Sequence, residues 1–286
     1  MTQPDRPQGR KLLLTASATK QLAHLHSWDF PILQPEKASD PQFLETLENL
    51  NADLYVVVAY GQILSRKLLA IPPLGCINVH ASLLPKYRGA APMQRALMDG
   101  VRETGVSVQK MVFQLDAGDV IDESRIPISS ECTLGELHDL LCDLAKPLLL
   151  SVIKSYEKGI PASSPQDESE ATFAPKIKPE EMELHWDRDA STLHNQIRAL
   201  SPRPGAWCWI EMAGERKRLK ILQSKVSSGE GLVGELLSFE KDECLVATAR
   251  EALQLLIVQP EGKRPMGVGE WIRGCSSPPI FPFSPA

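Results

Sequence analysis

The chain has 286 residues, 43% hydrophobic and 23% charged, with a net charge of −5. This is a globular composition, long enough for two domains, and it excludes a collagenous, low-complexity or broadly polycationic nucleic-acid-binding chain. No apolar run approaches the length of a bilayer span and no apolar signal segment opens the chain; its six cysteines (Cys76, Cys132, Cys142, Cys208, Cys244, Cys275) lack metal spacing. A cytoplasmic monomer with reduced, mostly buried thiols and no metal is therefore expected. From Ser201 onward Lys and Arg number 11 against 10 Asp and Glu, whereas the residues before it carry 20 against 26. This asymmetry fits a polyanionic partner for the C-terminal part, and equally an ordinary mixed surface.

The opening MTQPDRPQGRKLLL, with two prolines, a glycine and Arg6, Arg10 and Lys11, reads as a basic surface loop. Residues 17–26 predict a helix, 31–34 a short strand, and 41–50 a helix with Asp40 as N-cap. Residues 54–59 form an apolar run with three valines, expected to be a strand buried on both faces. Residues 76–81 predict another strand, with Asn78 and His80 on one face and Ile77, Val79 and Ala81 on the other. Pro85 lies beyond its end.

Further on, the pattern predicts a helix over 92–98, strands over 106–112 and 119–128, and a long helix over 133–156. Asp116 falls in the turn between the two strands, where an Asx turn is its ordinary role. The alternation of strands and helices argues for a mostly parallel, Rossmann-like α/β sheet. No G-x-G-x-x-G follows a strand, so no dinucleotide site is expected. A Pro/Ser/acidic connector begins at Gly159, and a helix is predicted over 190–200. Short apolar runs at 207–212, 219–222, 234–239, 244–247 and 253–258 then suggest a small β-barrel. The expected division is 1–158, a linker over 159–200, and 201–286.

Residues 76–89, CINVHASLLPKYRG, carry the chemistry. An amide and an imidazole side by side at a strand's C-terminal end sit where open α/β sheets bind ligands. The alternative for such a pair is a capping Asn and a satisfied His. The whole stretch NVHASLLPKYRGAAP resembles the signature of the folate-dependent formyltransferases. So do TQPDRP at 2–7, VVVAYG at 56–61, LDAGD at 115–119 and residues 200–206.

The resemblance runs nearly end to end. It implies an enzyme that takes formyl from 10-formyltetrahydrofolate and delivers it to the amine of methionyl initiator tRNA, with an OB-like C-terminal domain that contacts the tRNA. It also implies that Asn78, His80 and Asp116 are catalytic, and that Ser82, Leu83, Leu84, Pro85, Gln62 and Leu64 hold the folate donor. For the tRNA it points to Arg6, Arg10 and Lys11 in the opening loop. Arg203, Lys217, Arg218, Lys220, Lys263 and Arg264 are candidates for a basic track on the C-terminal domain, with a solvated barrel surface as the alternative.

The sequence departs from the family after Lys11, where Leu12, Leu13 and Leu14 replace the usual glycine and lysines. It also lacks the family's opening strand and helix. That implies either an upstream start or a short form with strand edges left unpaired. Two readings stand beside the leading one: a formyltransferase for a small amine, and a non-catalytic tRNA-binding remnant.

Overall fold

The computed structural model describes residues 1–8 and 12–282. In chain order the elements are β1 (Arg6–Gln8), β2 (Leu13–Thr15), α1 (Ala18–Leu25), α2 (Pro41–Asn49), β3 (Tyr55–Val58), α3 (Arg66–Leu69), β4 (Cys76–His80), β5 (Arg88–Gly89), α4 (Pro92–Met98), β6 (Glu103–Lys110), β7 (Val120–Pro127) and α5 (Leu134–Tyr156). There follow β8 (Phe173–Ala174), α6 (Ala190–Leu200), β9 (Ala206–Met212), β10 (Glu215–Ser227), β11 (Leu236–Glu240), β12 (Glu243–Ala247), β13 (Ala252–Pro260), β14 (Met266–Gly267) and α7 (Val268–Arg273). The chain divides into two units. One comprises Met1–His80, Ser107–Glu123 and Pro147–Ser169; the other comprises Ala81–Val106, Ser124–Lys146 and Glu170–Ala286.

In the first unit, Ser17 caps α1 by accepting from the Lys20 N–H, and Asp40 caps α2 by accepting from Gln42 and Phe43. The opening segment, expected as a loop, pairs β1 with β2 in antiparallel register, Arg6 opposite Thr15. Residues 31–34 form no strand; the Leu33 carbonyl instead accepts from the Thr2 N–H at 2.9 Å. A core of Ala38, Leu44, Leu47, Tyr60, Leu64 and Leu68 closes α2 and α3 over β3.

The sheet order is β3-β4-β6-β7. β3 runs parallel to β4, but β6 runs antiparallel to it, so the sheet is mixed where a mostly parallel one was expected. The expectation rested on the alternation of strands and helices, which does not by itself fix strand direction: α4 lies between β4 and β6 in the chain, yet the two strands pair antiparallel. β3 itself is not buried on both faces: Val56 is 41% and Val58 57% exposed. It lies at the end of the strand order, and alternate residues along it face outward.

In the second unit, α6 packs with the C-terminal strands around Leu193, Ile197, Leu200, Leu219, Ile221, Leu253 and Leu255. The antiparallel order is β11-β12-β13-β10-β9. Among the described residues β11 and β9 do not pair with each other, so the expected small barrel is an open path of strands. β10 begins well before the expected Leu219. Ala213 and Gly214, both at positive φ, make the two-residue turn of a β9–β10 hairpin, in which Met212 faces Glu215.

Candidate active site

β4 positions the central pair. Ile77 is fully buried on one face, and Asn78 and His80 share the other. Across the ladder to β6, Asn78 stands opposite Gln109 and His80 opposite Ser107. Directly opposed residues project to the same side of a sheet, so four polar groups gather on one face. His80, Ser107 and Gln109 are all buried.

Asp116 reaches this face from the turn between β6 and β7, where its backbone is left-handed at φ 50°. Its Oδ2 lies 3.7 Å from His80 Nδ1, within ion-pair range but longer than a hydrogen bond. Catalytic contacts are often this long before substrate binds. The other carboxylate oxygen, Oδ1, accepts from Gln109 Nε2 at 3.0 Å. Both Asn78 and Asp116 lie with His80 in the first unit.

Neither Cys76 nor Ser82 is set up as a nucleophile. Burial pushes the Cys76 thiol up to about 11, and its sulfur lies 3.7 Å from the Leu69 carbonyl. A thiol in that state is scarcely ionised at neutral pH. The buried Ser82 hydroxyl donates to the Lys86 carbonyl at 2.6 Å. It thereby braces a turn that contains the cis Leu84–Pro85 bond, with Leu84 buried and Leu83 and Pro85 half-buried. Gln62 uses both ends of its amide on the chain, accepting from the Ala38 N–H and donating to the Pro35 carbonyl. Leu64 is 6% exposed and belongs to the core.

The basic residues scatter. Arg6 pairs with Glu36 at 3.1 Å, and Arg10 and Lys11 lie outside the described residues. Lys217 pairs with Glu215, and Arg264 pairs with Glu270 at 2.6 Å. Arg203 and Lys263 are exposed.

A more coherent group lies on the outward face of the β9–β10 hairpin, where Trp207 and Trp209 face Lys220 and Arg218 across the ladder. The Arg218 guanidinium sits 4.3 Å from the Trp207 ring and 5.1 Å from that of Trp209; Arg216 sits 4.6 Å from Trp209. The opposite face buries Cys208, Ile210, Leu219 and Ile221. The sequence showed Trp207 and Trp209 only as members of an apolar run. The register that interleaves them with arginines comes from the hairpin.

Residues 1–153 match the family model described as formyl transferase, and 176–276 match the formyl transferase C-terminal domain. The chain is 46% identical over 277 residues to a methionyl-tRNA formyltransferase of Protochlamydia amoebophila, covering 96% of this chain and 86% of the relative. It is 42% identical over 276 residues to one of Moorella thermoacetica, covering 96% and 87%. Among solved structures it is similar to HypX from Aquifex aeolicus in complex with tetrahydrofolic acid, with a TM-score of 0.62 and 18% identity over 80% of this chain and 40% of that one. It is similar also to the methionyl-tRNA formyltransferase from Clostridium thermocellum, with a TM-score of 0.53 and 20% identity over 74% and 88%. At such identities the structural likeness speaks for the fold; the sequence matches speak for descent, and the chain belongs to the formyl transferase family.

Proposed function

We propose that the chain transfers the formyl group of 10-formyltetrahydrofolate to the amino group of methionyl initiator tRNA, in the cytoplasm, in support of translation initiation. The observation that carries this reading is the meeting of Asn78, His80 and Asp116 at the C-terminal end of β4, in a chain 46% identical to a methionyl-tRNA formyltransferase across nearly its whole length.

The chemistry follows from the bonds that change. The amine nitrogen bonds to the formyl carbon, and the carbonyl oxygen takes up the negative charge of a tetrahedral intermediate. The bond from carbon to N10 of the folate then breaks. One proton leaves the attacking amine and one reaches the departing nitrogen. Asn78 supplies amide N–H donors and His80 a ring N–H for the developing oxyanion; each well-placed donor is worth about 2.7–4 kcal/mol in the transition state. Asp116, on the Nδ1 side of His80, holds the ring in place, and the pair passes the proton. The Ser82–Pro85 turn follows β4 directly in the chain, and its backbone groups hold the donor.

For the acceptor, the Trp207, Trp209, Arg216, Arg218 and Lys220 face supplies cations for phosphates and flat rings for bases. We read the β9–β13 sheet as an OB-like module that presents this face. Arg10, Lys11 and Arg203 add charge, and Arg6 does so less because it is paired with Glu36.

The deciding experiment supplies the purified chain with 10-formyltetrahydrofolate and an equimolar mixture of methionyl initiator tRNA and small amines, a glycinamide ribonucleotide and an amino sugar nucleotide. Formylated methionine, recovered from the tRNA, is expected to dominate. Preferential formylation of a small amine would replace this acceptor. Salt-dependent tRNA binding without any transfer would mean a binding remnant.

A further inference from the structure

We propose that Gln109 and Gln166 are positioning residues that set both the backbone and the carboxylate of Asp116. The inference rests on the reading of Asp116 as the partner of His80. Gln109 is 2% exposed near the C-terminal end of β6, between Val108 and Lys110. A polar side chain buried in a sheet needs partners, and Gln109 has two: Asp116 Oδ1 at 3.0 Å and Gln166 Nε2 at 3.4 Å.

The direction of each amide is fixed by a chain of necessity. Gln166 Nε2 lies 2.8 Å from the Asp116 carbonyl and 2.6 Å from the Gly118 carbonyl. Carbonyl oxygens only accept, so this end of Gln166 must be its NH2. A carboxylate likewise only accepts, so the end of Gln109 that lies 3.0 Å from Asp116 Oδ1 must be its NH2, which donates there and turns Oδ2 toward His80 Nδ1. The Gln109 oxygen then faces the Gln166 NH2 at 3.4 Å, a longer contact beside the two carbonyls that take its hydrogens.

Gln166 is itself held. Ser164 pairs with Val120 through two backbone hydrogen bonds of 2.8 and 2.9 Å, which lay the 163–166 segment against the turn. Of the two carbonyls bridged by Gln166, one is that of the residue with φ 50° itself and the other lies two residues after it. Such a conformation is disfavoured for a side chain like aspartate unless its surroundings hold it. His80, Gln109, Asp116, Gly118 and Gln166 all belong to the first unit.

The test is steady-state kinetics on Q109M, Q166M, D116N and the double variant Q109M/D116N, with the melting temperature of each. Methionine keeps the size of glutamine and removes its donors. Q109M is expected to lower kcat about 10-fold or more, with KM for both substrates within about 2-fold. In the D116N background the same change is expected to add nothing, because its effect runs through that carboxylate.

Unchanged kcat in Q109M, or a full further loss in the double variant, overturns the positioning role while leaving formyl transfer standing. Full activity in D116N removes the catalytic reading of Asp116 itself, and the proposal with it. Should Q109M fail to fold, Q109E serves. It keeps the shape but sets a carboxylate against Asp116, so kcat should fall about 10-fold or more below the wild type; wild-type kcat in Q109E refutes the proposal.

Discussion

His80 Nδ1 and Asp116 Oδ2 stand 3.7 Å apart although 36 positions separate them in the chain, and what brings them together is the antiparallel ladder of β4 with β6. β4 fixes the imidazole beside the Asn78 amide, and the turn after β6 swings the carboxylate back over it. If these groups face the developing oxyanion, removing either donor should act on the chemical step. H80A and N78A are each expected to lower kcat about 10²–10³-fold. The affinity for tRNA, measured by filter binding, should stay within about 2-fold. Retention of most turnover in H80A would sink the assignment.

Gly118 is a steric requirement of the same turn. A Cβ placed there would lie 1.8 Å from the Lys110 carbonyl oxygen and 2.9 Å from its carbon. Both atoms are backbone, in a strand whose Lys110 N–H already donates to the Asp119 carbonyl. Neither can yield without opening the β6–β7 turn. G118A is therefore expected to cost about 1–3 kcal/mol or more of stability, read as a lower denaturant midpoint. Because the displaced turn carries Asp116, kcat should fall with it even where the protein stays folded. Wild-type values of both would show that the strands accommodate the methyl.

The basic residues divide by what they already touch. Arg218 lies over two tryptophan rings, whereas Arg264 is held by Glu270 and Lys217 by Glu215. A cation compensated by a neighbouring carboxylate has less to give a phosphate. R218A is expected to weaken tRNA binding and to reduce the slope of log K against log salt by about 1. R264A and K217A should change both far less. Equal effects from all three would mean that the acceptor samples general charge and not the hairpin face.

The sequence made the capped helices and the Asn78–His80 strand legible because their signals are local. Asp40 caps the helix it was placed before, Ser17 caps a helix that fills most of the expected 17–26, and residues 190–200 are helical from end to end. Gln109 and Ser107 were not visible as members of the site. They sit inside six consecutive buried residues, and only the register with β4 puts them opposite Asn78 and His80. β10 was hidden for the opposite reason. Its first residues, ERKRLK, read as solvated charge until a two-residue turn folds them onto β9. The exposure of Val56 and Val58 was equally illegible, since a valine run does not say which face is covered.

Arg95 on α4 and Glu181 form a forked ion pair that should leave a mark on the acid limb of stability. Arg95 Nη1 and Nη2 donate to the two carboxylate oxygens at 2.5 and 3.0 Å, and the Lys178 N–H adds a third donor at 2.9 Å. The hydrogen bond from Arg95, then that from the Lys178 backbone, lowers Glu181 from 4.5 to about 2. A carboxylate whose folded value is depressed binds its proton more readily in the unfolded chain. Its contribution is therefore complete above about 4.5 and is lost as pH falls toward about 2. Urea midpoints of the wild type and of E181Q, measured from pH 6 downward, should differ at the upper end and draw together across that window. Glutamine cannot titrate, so E181Q loses this part of the pH dependence while other carboxylates keep theirs. A constant gap between the two curves through the whole window would show that the pair does not hold Glu181 ionised, and that the Arg95 fork stabilises the chain by packing alone.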